Sequence, residues 1–332
     1  MKKILVGLLL GTMLLSACGK KTAEPGSASA STSSSSEKEV AVITTTPAPE
    51  TPTPAPETPT PAPETPTPAP ETPTPAPEPV DTTPVNITFD PSWEFAENSM
   101  IHDGTAVLYK AENNRNNHVI GVNAGHGCAG SSSVQTLSHP DGSPKVTGGT
   151  NAEGAVYSMA ASTGMDFFDG TPESVVNLQV AQALKAILLE NGYDVLMIRD
   201  GEDVQFDNIA RTVICNNNAE CHIALHFDGD DLDYDKGCYY MSVPEALKSM
   251  YPVSETWERS NHLGDCLING LRTQDQPIFD DGSMPSDLTQ TSYSRVPSID
   301  IELGNAASDH SQEKLDALAR GLLAGINEFF GV

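Results

Sequence analysis

The spacing of apolar positions along the chain changes at about residue 91. Between residues 19 and 90, apolar residues are too few and too scattered to build a core. From residue 91 onward, short β-branched runs alternate with longer segments in which apolar residues recur every three or four positions. These two spacings are typical of buried strands and of helices with one apolar face. Their alternation predicts a single α/β domain, whose mostly parallel, twisted sheet is flanked by helices.

Individual elements follow from the same pattern. We predict strands at residues 118–122, 193–198, 221–227, 237–241 and 297–302, and helices at residues 171–191, 207–217, 254–271 and 311–330. The clearest helix begins at Thr171, a good N-cap residue, and continues with Pro172, which suits the first helical position. Glu173 then lies in the first turn, where the helix dipole by itself favours a carboxylate.

The first residues have the form of an export signal. Two lysines precede an apolar stretch at residues 4–15, which is too short to span a bilayer, and small residues then lead to Cys18. This arrangement resembles a bacterial lipoprotein signal. The resemblance implies that residues 1–17 are removed, that Cys18 carries acyl chains, and that the mature protein is anchored to the membrane outside the cytoplasm.

The segment from residue 18 to residue 90 is predicted to be a disordered, lipid-anchored tether. Residues 51–78 contain four copies of the heptad Thr-Pro-Thr-Pro-Ala-Pro-Glu, and residues 44–50 are a near copy. Proline at nearly every second position removes backbone donors and favours an extended polyproline conformation. At about 3.1 Å per residue, the repeats would reach on the order of 110 Å. Residues 91–117 then lead into the main domain, at residues 118–332.

Candidate metal ligands follow two of the predicted strands. His126 lies between two glycines just after the strand at 118–122, and His226 lies near the end of the strand at 221–227. In parallel sheets, functional groups gather at the carboxyl ends of strands, so these histidines are expected at one edge. His222 is an alternative to His226, but four residues of strand span about 13 Å, so the two cannot bind one small ion.

Two acidic residues end the last predicted strand. Glu302 lies at its carboxyl end, and Asp300 points to the same face of the strand. A carboxylate at that edge could carry a proton to and from water activated by a metal. We prefer Glu302 and keep Asp300 as the alternative. Together with His126, Glu173 and His226, these residues predict a zinc hydrolase site with one Zn²⁺ ion.

At these residues the chain resembles a known family. Residues 119–127, 173–199, 211–226 and 297–309, with the closing helix, are similar to the zinc-dependent N-acetylmuramoyl-L-alanine amidases (type 3 catalytic domain) of bacterial cell-wall remodelling. The resemblance covers about residues 117–330. It implies hydrolysis of the amide between N-acetylmuramic acid and L-alanine in peptidoglycan. It also implies that His126, Glu173 and His226 bind zinc and that Glu302 is catalytic.

The chain departs from the family pattern in several places. Asn123 replaces the usual aspartate at the start of the histidine motif and, like Asp300, is expected to support the ligands from outside. A long insertion at 129–170 separates His126 from Glu173, which leaves Glu153 as an alternative ligand. The insertion could be a loop that shapes the substrate cleft, or exposed surface without a functional role. Its composition fits both interpretations equally well.

Two arginines and the overall charge bear on recognition. Arg199 and Arg211 could bind substrate carboxylates or form structural ion pairs. The chain has 18 Lys and Arg against 45 Asp and Glu, and 13 against 35 of these follow Asp90. A domain this acidic excludes nucleic acid as a partner and would repel anionic lipid. Recognition of peptidoglycan must therefore depend on local contacts, and membrane attachment on the lipid anchor.

Five cysteines follow Cys18, an odd number for an extracytoplasmic chain. Cys215 with Cys221, or Cys238 with Cys266, could pair, and Cys128 is a weak candidate for an additional ligand.

Two other functions are compatible with the sequence. One is a zinc peptidase that cleaves within the stem peptide of peptidoglycan, and the other is a non-catalytic lipoprotein that binds the cell wall.

Overall fold

The computed structural model describes residues 81–332. The predicted signal peptide, Cys18 and the heptad repeats lie outside the described residues. In chain order the elements are β1 (Val85–Thr88), β2 (Thr105–Tyr109), β3 (Val119–Ala124), β4 (Gln135–Leu137), β5 (Tyr157–Met159), α1 (Glu173–Glu190), β6 (Asp194–Met197), α2 (Asn208–Asn218), β7 (Cys221–Asp228), β8 (Cys238–Ser242), α3 (Val253–Arg272), β9 (Ile278–Pro285), α4 (Thr289–Tyr293), β10 (Ser298–Asn305) and α5 (Gln312–Phe330).

An eight-stranded sheet organises the fold, with the strand order β1-β2-β6-β3-β7-β10-β8-β9. The four central strands, β6, β3, β7 and β10, run parallel to one another. β2 and β8 join them antiparallel on either side. β4 and β5 form a separate two-stranded sheet. The predicted fold class is confirmed, and the carboxyl ends of β3, β7 and β10 meet at one edge.

Both faces of the sheet are covered, as the nearly continuous apolar sequence of its central strands requires. In β6, Val195 and Met197 face a core formed with α1, α3 and α5. Leu196 and Ile198 alternate with them and face a second core, to which α2 contributes. This alternation is the two-residue period of a strand, and it places helices on both faces.

The sheet begins earlier in the chain than the sequence predicts. β1 lies within the segment assigned to the tether, and it pairs antiparallel with β2 along all four of its residues. Ile87 of β1 packs against the core on the α2 side. The boundary at residue 90 is therefore wrong. The strand is only four residues long and mostly exposed, which is too short for a clear alternating pattern.

The start of α1 differs in detail from the prediction. Pro172, and not Thr171, occupies the N-cap position, and no side chain caps the helix there. Glu173 is the first helical residue, so its predicted place in the first turn is correct. The helix dipole therefore acts on this carboxylate as expected.

All five described cysteines are free and buried. The predicted pairs Cys215 with Cys221 and Cys238 with Cys266 do not form. Each thiol packs as a small apolar side chain, in keeping with the usual behaviour of free cysteine in protein cores. Among the residues from 81 onward, no helix combines the length and the apolar character needed to cross a membrane.

Helices α3 and α5 pack closely through glycine. A Cβ atom added to Gly270 would lie 2.2 Å from the carbonyl oxygen of Gly321 and 2.4 Å from the amide nitrogen of Gly325. The two backbones approach so closely because none of these residues has a side chain. This contact fixes α3 and α5 together beneath the central strands.

Replacing Gly270 with alanine is expected to destabilise the protein by about 1–3 kcal/mol, because the added methyl group forces the helices apart. This loss should exceed the gain of about 1 kcal/mol that alanine brings to a helix. Urea unfolding followed by circular dichroism measures the change. Gly201→Ala is the control, since no atom lies near its added Cβ. An unchanged midpoint for Gly270→Ala would contradict the close packing.

Candidate metal centre and cleft

Three polar side chains meet at the carboxyl edge of the central strands. His126 lies in the turn after β3, Glu173 begins α1, and His226 is near the end of β7. Ala124 of β3 pairs with Leu225 of β7, so His126 and His226 lie at the same level along the strand direction. One donor atom from each of the three residues lies within 4.8 Å of the other two.

Glu173 lies between the two imidazole rings. Its Oε2 is 2.8 Å from Nε2 of His126, and its Oε1 is 3.0 Å from Nδ1 of His226. The same two ring nitrogens are 3.0 Å apart, and the rings meet edge to face. Two imidazole nitrogens and one carboxylate, converging on one point, are a donor set that suits a catalytic zinc ion.

Contacts outside this cluster orient His126 and Glu173. Nδ1 of His126 donates to the carbonyl oxygen of Ser162 at 2.9 Å, which leaves Nε2 free to act as a ligand. Glu173 accepts hydrogen bonds from the side chain of Asn177 and from the amides of Met165 and Phe227. Burial alone would raise the pKa of Glu173, but the two histidines hold it well below its usual value.

Two acidic residues of β10 face the cluster from the other side. Glu302 pairs with His226 across β7 and β10, and Oδ2 of Asp300 lies 3.7 Å from Nε2 of His226. Oδ1 of Asp300 and Oε2 of Glu302 are buried without any hydrogen-bond partner among the described residues. Buried carboxylate oxygens without partners are costly, so this side of the site suits water or a cation.

Burial shifts the titration of these acidic residues. It raises the pKa of the Glu302 carboxyl well above its usual value, and the neighbouring Asp300 raises it further. Burial also raises the pKa of Asp300. For His226, burial opposes protonation, but the carboxylates of Asp300 and Glu173 outweigh it and raise the pKa to about 10. The chain therefore places two acidic groups and a readily charged imidazole around one point.

Arg211 supports the turn that carries His126. The guanidinium group is buried and donates to Oδ1 of Asn123 and to the carbonyl oxygens of Ala124, His126 and Phe206. Burial lowers its pKa to about 10. The side chain of Asn123 also contacts Nε2 of His222 at 3.1 Å, and Arg211 links it to the carbonyl oxygen of His126.

Arg199 holds the same turn from another direction. It is buried, and its guanidinium group donates to the carbonyl oxygens of Ala124, Gly125, Ser174 and Gly201. These main-chain contacts give both arginines a structural role, and the prediction that they bind substrate carboxylates stays a prediction. Neither arginine forms an ion pair among the described residues, so the predicted alternative of structural ion pairing is wrong. Carbonyl oxygens at the ends of strands satisfy both guanidinium groups instead.

The alternative ligands lie away from the cluster. His222 is fully buried, and burial lowers its pKa to about 3, which keeps it neutral. Glu153 is exposed in a turn of the insertion. Cys128 is buried, and burial raises the pKa of its thiol, which disfavours the thiolate that a metal would require. Of the alternatives considered, none joins the group formed by His126, Glu173 and His226.

The insertion at 129–170 shapes a cleft in front of the cluster. The cleft has a volume of about 790 Å³. Residues 147–151 of the insertion line one part of it, and residues 284–290, from the end of β9 into α4, line another. A buried contact joins the two parts, because His139 lies 2.9 Å from Asp287. Of the two readings of the insertion, the structure favours the one in which it shapes the cleft.

Some residues of the site have no clear signal in the sequence. Met165, in the insertion, contacts Glu173 through its main-chain amide, which any residue type could provide. Ser162, in the same insertion, contacts Nδ1 of His126 with both its carbonyl oxygen and its hydroxyl, but it is one of many serines there. Asn177 is different, because it lies four residues after Glu173 on the same helix face. Its helical spacing could have identified it as a partner of the ligand.

Fold and site together define a mixed α/β protein in which two histidines and one glutamate converge at the carboxyl edge of the sheet and could hold a metal ion. The family model described as N-acetylmuramoyl-L-alanine amidase matches residues 120–325. The chain belongs to this family. The match spans the whole site, from the strand before His126 to the helix after Glu302.

Solved structures share the fold at low sequence identity. Ami1, the N-acetylmuramyl-L-alanine amidase of Mycobacterium smegmatis, is 19% identical, with a TM-score of 0.52 over 65% of this chain and 97% of its own. The apo form of Ami1 from Mycobacterium abscessus is 19% identical, with a TM-score of 0.53 over 64% of this chain and 99% of its own. No curated protein matches the chain by sequence.

The raised pKa of Glu302 predicts a stability that depends on pH. In metal-free buffer the folded protein holds a proton on Glu302 at a pH where the unfolded chain has lost it. The free energy of unfolding therefore falls as the pH rises above the pKa that Glu302 has in the unfolded chain, by at most about 1.4 kcal/mol per pH unit. Glu302→Gln should remove this part of the slope and stabilise the protein more at pH 8 than at pH 5.

Urea unfolding at several pH values, in the presence of a chelator, measures this slope. Glu112→Gln is the control, because Glu112 is exposed in the loop after β2 and its replacement should leave the slope unchanged. If the free energies of unfolding of the wild type and of Glu302→Gln changed in parallel with pH, folding would not raise the pKa of Glu302.

Proposed function

We propose that this protein is a zinc-dependent hydrolase that cleaves the amide bond between N-acetylmuramic acid and L-alanine in peptidoglycan. The observation that carries the proposal is the convergence of His126, Glu173 and His226 beside the unpartnered Glu302, in a chain of the amidase family. The proposal fits the cleft of about 790 Å³ in front of this cluster, which polar and apolar side chains line together.

His126, Glu173 and His226 would hold one zinc ion through Nε2, a carboxylate oxygen and Nδ1. Three protein ligands leave a position for a further group, as catalytic zinc sites require. When bound, zinc would supply Lewis acidity, which polarises the scissile carbonyl and makes water more acidic. The contact of His126 with Ser162 supports this role by fixing the tautomer of the ring.

Glu302 would move the proton. Its carboxylate takes a proton from the attacking water and returns it to the nitrogen of the leaving L-alanine. A raised pKa suits this exchange, because the group must both accept and release a proton near neutral pH. Asp300 faces His226 and would keep that ring oriented, so it serves as a positioning residue.

The enzyme is proposed to act at the outer side of the cell membrane. The signal at residues 1–17 and Cys18 would provide a lipid anchor, and residues 18–84 a tether that reaches the cell wall. The acidic composition agrees with a partner that is not nucleic acid.

Glu302→Ala is expected to bind zinc as the wild type does, while kcat falls by about 10²–10⁴-fold, the usual contribution of a proton-transfer group. His126→Ala should lose both zinc and activity. Metal content by elemental analysis and release of stem peptide from purified cell wall measure the two properties. Mass spectrometry of the products separates this reaction from cleavage within the stem peptide.

Glu112→Ala, at an exposed position away from the site, is the matched control and should change neither property. An active Glu302→Ala protein would assign the proton transfer to another group. If the wild-type protein binds zinc but releases no stem peptide from the cell wall, the result would favour a non-catalytic lipoprotein that binds the wall.

Cys18→Ser is expected to move the protein from the membrane fraction to the soluble fraction, because it removes the residue that would carry the lipid. Detergent phase partitioning and labelling with a fatty-acid analogue measure this change. Ser16→Ala, which keeps a small residue before Cys18, is the control. Labelling that persists in Cys18→Ser would contradict lipidation at this residue.

A further inference from the structure

A buried group of polar side chains joins the insertion to the segment before α4. Oδ1 and Oδ2 of Asp287 lie 2.9 Å and 3.0 Å from Nε2 of His139, and Oδ1 lies 3.3 Å from Nζ of Lys145. The side chains of His139 and Asp287 are fully buried, and that of Lys145 is 4% exposed. We call these three residues the Asp287 latch. Because the ion pair is shielded from water, removal of one partner would leave a buried charge without compensation.

Further hydrogen bonds surround the ion pair. The amide of Val146 donates to Oδ2 of Asp287 at 2.7 Å, and the amide of Asp287 donates to the hydroxyl of Thr147 at 2.9 Å. Nζ of Lys145 also donates to the carbonyl oxygen of Asp287 at 2.6 Å. Asp287 thus makes polar contacts with three consecutive residues of the insertion, in addition to His139.

The Asp287 latch holds a part of the cleft that lies to one side of the candidate metal centre. Residues 147–151 of the insertion and residues 284–286, at the end of β9, both line the cleft next to the latch. β8 separates β9 from β10, the strand that carries Glu302. Neighbouring strands are about 4.8 Å apart, so residues 284–286 lie roughly 10 Å or more from Glu302. We call residues 147–151 and 284–286 the distal wall.

The distal wall can contact a long, uncharged chain. Its side chains belong to threonine, asparagine, serine, methionine and proline, so it offers hydroxyl and amide groups beside apolar ones. None of these side chains is charged, and the one ammonium group nearby, that of Lys145, is held by Asp287. A chain of sugars and amino acids presents the same mixture of hydroxyl, amide and apolar groups.

We propose that Asp287 is a positioning residue for polymeric peptidoglycan, and that it fixes the distal wall to bind parts of the polymer beyond the scissile bond. This inference rests on the proposed function and names a residue that sets its preference for polymer over short substrates. Asp287 acts through the wall, because its own side chain is fully buried. A wall fixed in advance loses less conformational entropy when the substrate binds. Contacts that are equally strong in the ground state and the transition state lower KM and leave kcat unchanged.

Asp287→Asn tests whether the latch holds the wall. The variant keeps the size of the side chain but leaves the ammonium group of Lys145 buried without a counter-charge. In the wild type, the amides of Lys145 and Gly154 donate to the carbonyl oxygens of Ala155 and Lys145. Hydrogen exchange followed by mass spectrometry should become about 10-fold faster in residues 145–155 of the variant and stay unchanged in the central strands. This measurement uses the full chain and needs no catalytic activity.

Kinetics test what the wall does. With the zinc-loaded full chain, Asp287→Asn is expected to raise KM for solubilised peptidoglycan by about 10-fold, the cost of ordering one or two more side chains on binding. The values of kcat and of zinc content should stay within about twofold of the wild type, because the contacts that are lost are remote from the reacting atoms. For a minimal muramyl peptide, which is too short to reach the distal wall, kcat/KM should be the same for both proteins.

Two further variants separate positioning from loss of folding. Lys145→Gln combined with Asp287→Asn replaces the ion pair by two neutral amides, so KM should return to within about threefold of the wild type. Glu153→Gln is the matched control, because it removes one carboxylate from an exposed position in the insertion. It should change neither KM nor exchange. A purely structural role of Asp287 would instead reduce the amount of folded protein, which lowers kcat for both substrates and leaves KM unchanged.

The outcomes separate this inference from the proposed function. If exchange in residues 145–155 is unchanged in Asp287→Asn, or if it rises while KM for the polymer stays the same, the positioning role is wrong and the amidase function remains. A fall in kcat for both substrates at constant KM would also overturn it. If the zinc-loaded wild type cleaves neither substrate, the proposed function fails, and the role in substrate binding fails with it.

Discussion

The site depends on one buried carboxylate held between two imidazole rings. Glu173 can keep its negative charge inside the protein because each of its hydrogen-bond partners is a donor and the helix dipole adds a positive pole. These neighbours are two histidines, two main-chain amides, one asparagine and the first turn of α1. Burial of an unpartnered carboxylate would cost several kcal/mol. The order of strands and the position of α1 in the fold are therefore tied to this one group.

The turn after β3 is the second constraint. His126 and Gly127 both adopt left-handed backbone conformations, with φ of 62° and 63°. Histidine tolerates this region better than most residues, and at Gly127 an added Cβ would lie 2.7 Å from Nε of Arg199. Arg199 and Arg211 then bind the carbonyl oxygens that the turn leaves unpaired. Two buried guanidinium groups thus replace the regular hydrogen bonds of a strand and fix the direction of the imidazole.

The sequence predicts most of the sheet and the polar residues at its edge, for a simple reason. Strong β-branched runs and one long amphipathic helix depend on local spacing, and the carboxyl ends of parallel strands meet wherever the sheet is parallel. The pattern does not predict β1, β2 and β9 of the eight-stranded sheet. β1 is short and exposed, and β9 contains two aspartates and a glycine. The role of the arginines was also missed, since a sequence does not show that main-chain carbonyls will be left unpaired beneath a turn.

The insertion shows where prediction from local spacing ends. Its composition is that of an ordinary surface loop, and its contacts with His126 and Glu173 are made by main-chain atoms of Ser162 and Met165 and by the hydroxyl of Ser162. Because serine recurs throughout this loop, residue type alone does not identify these contacts. Its anchor, His139 with Lys145 and Asp287, joins residues more than 140 positions apart, beyond the reach of any periodic pattern. Because the same segment orients His126 and lines the cleft, the orientation of this imidazole and the shape of the cleft cannot vary independently in this protein.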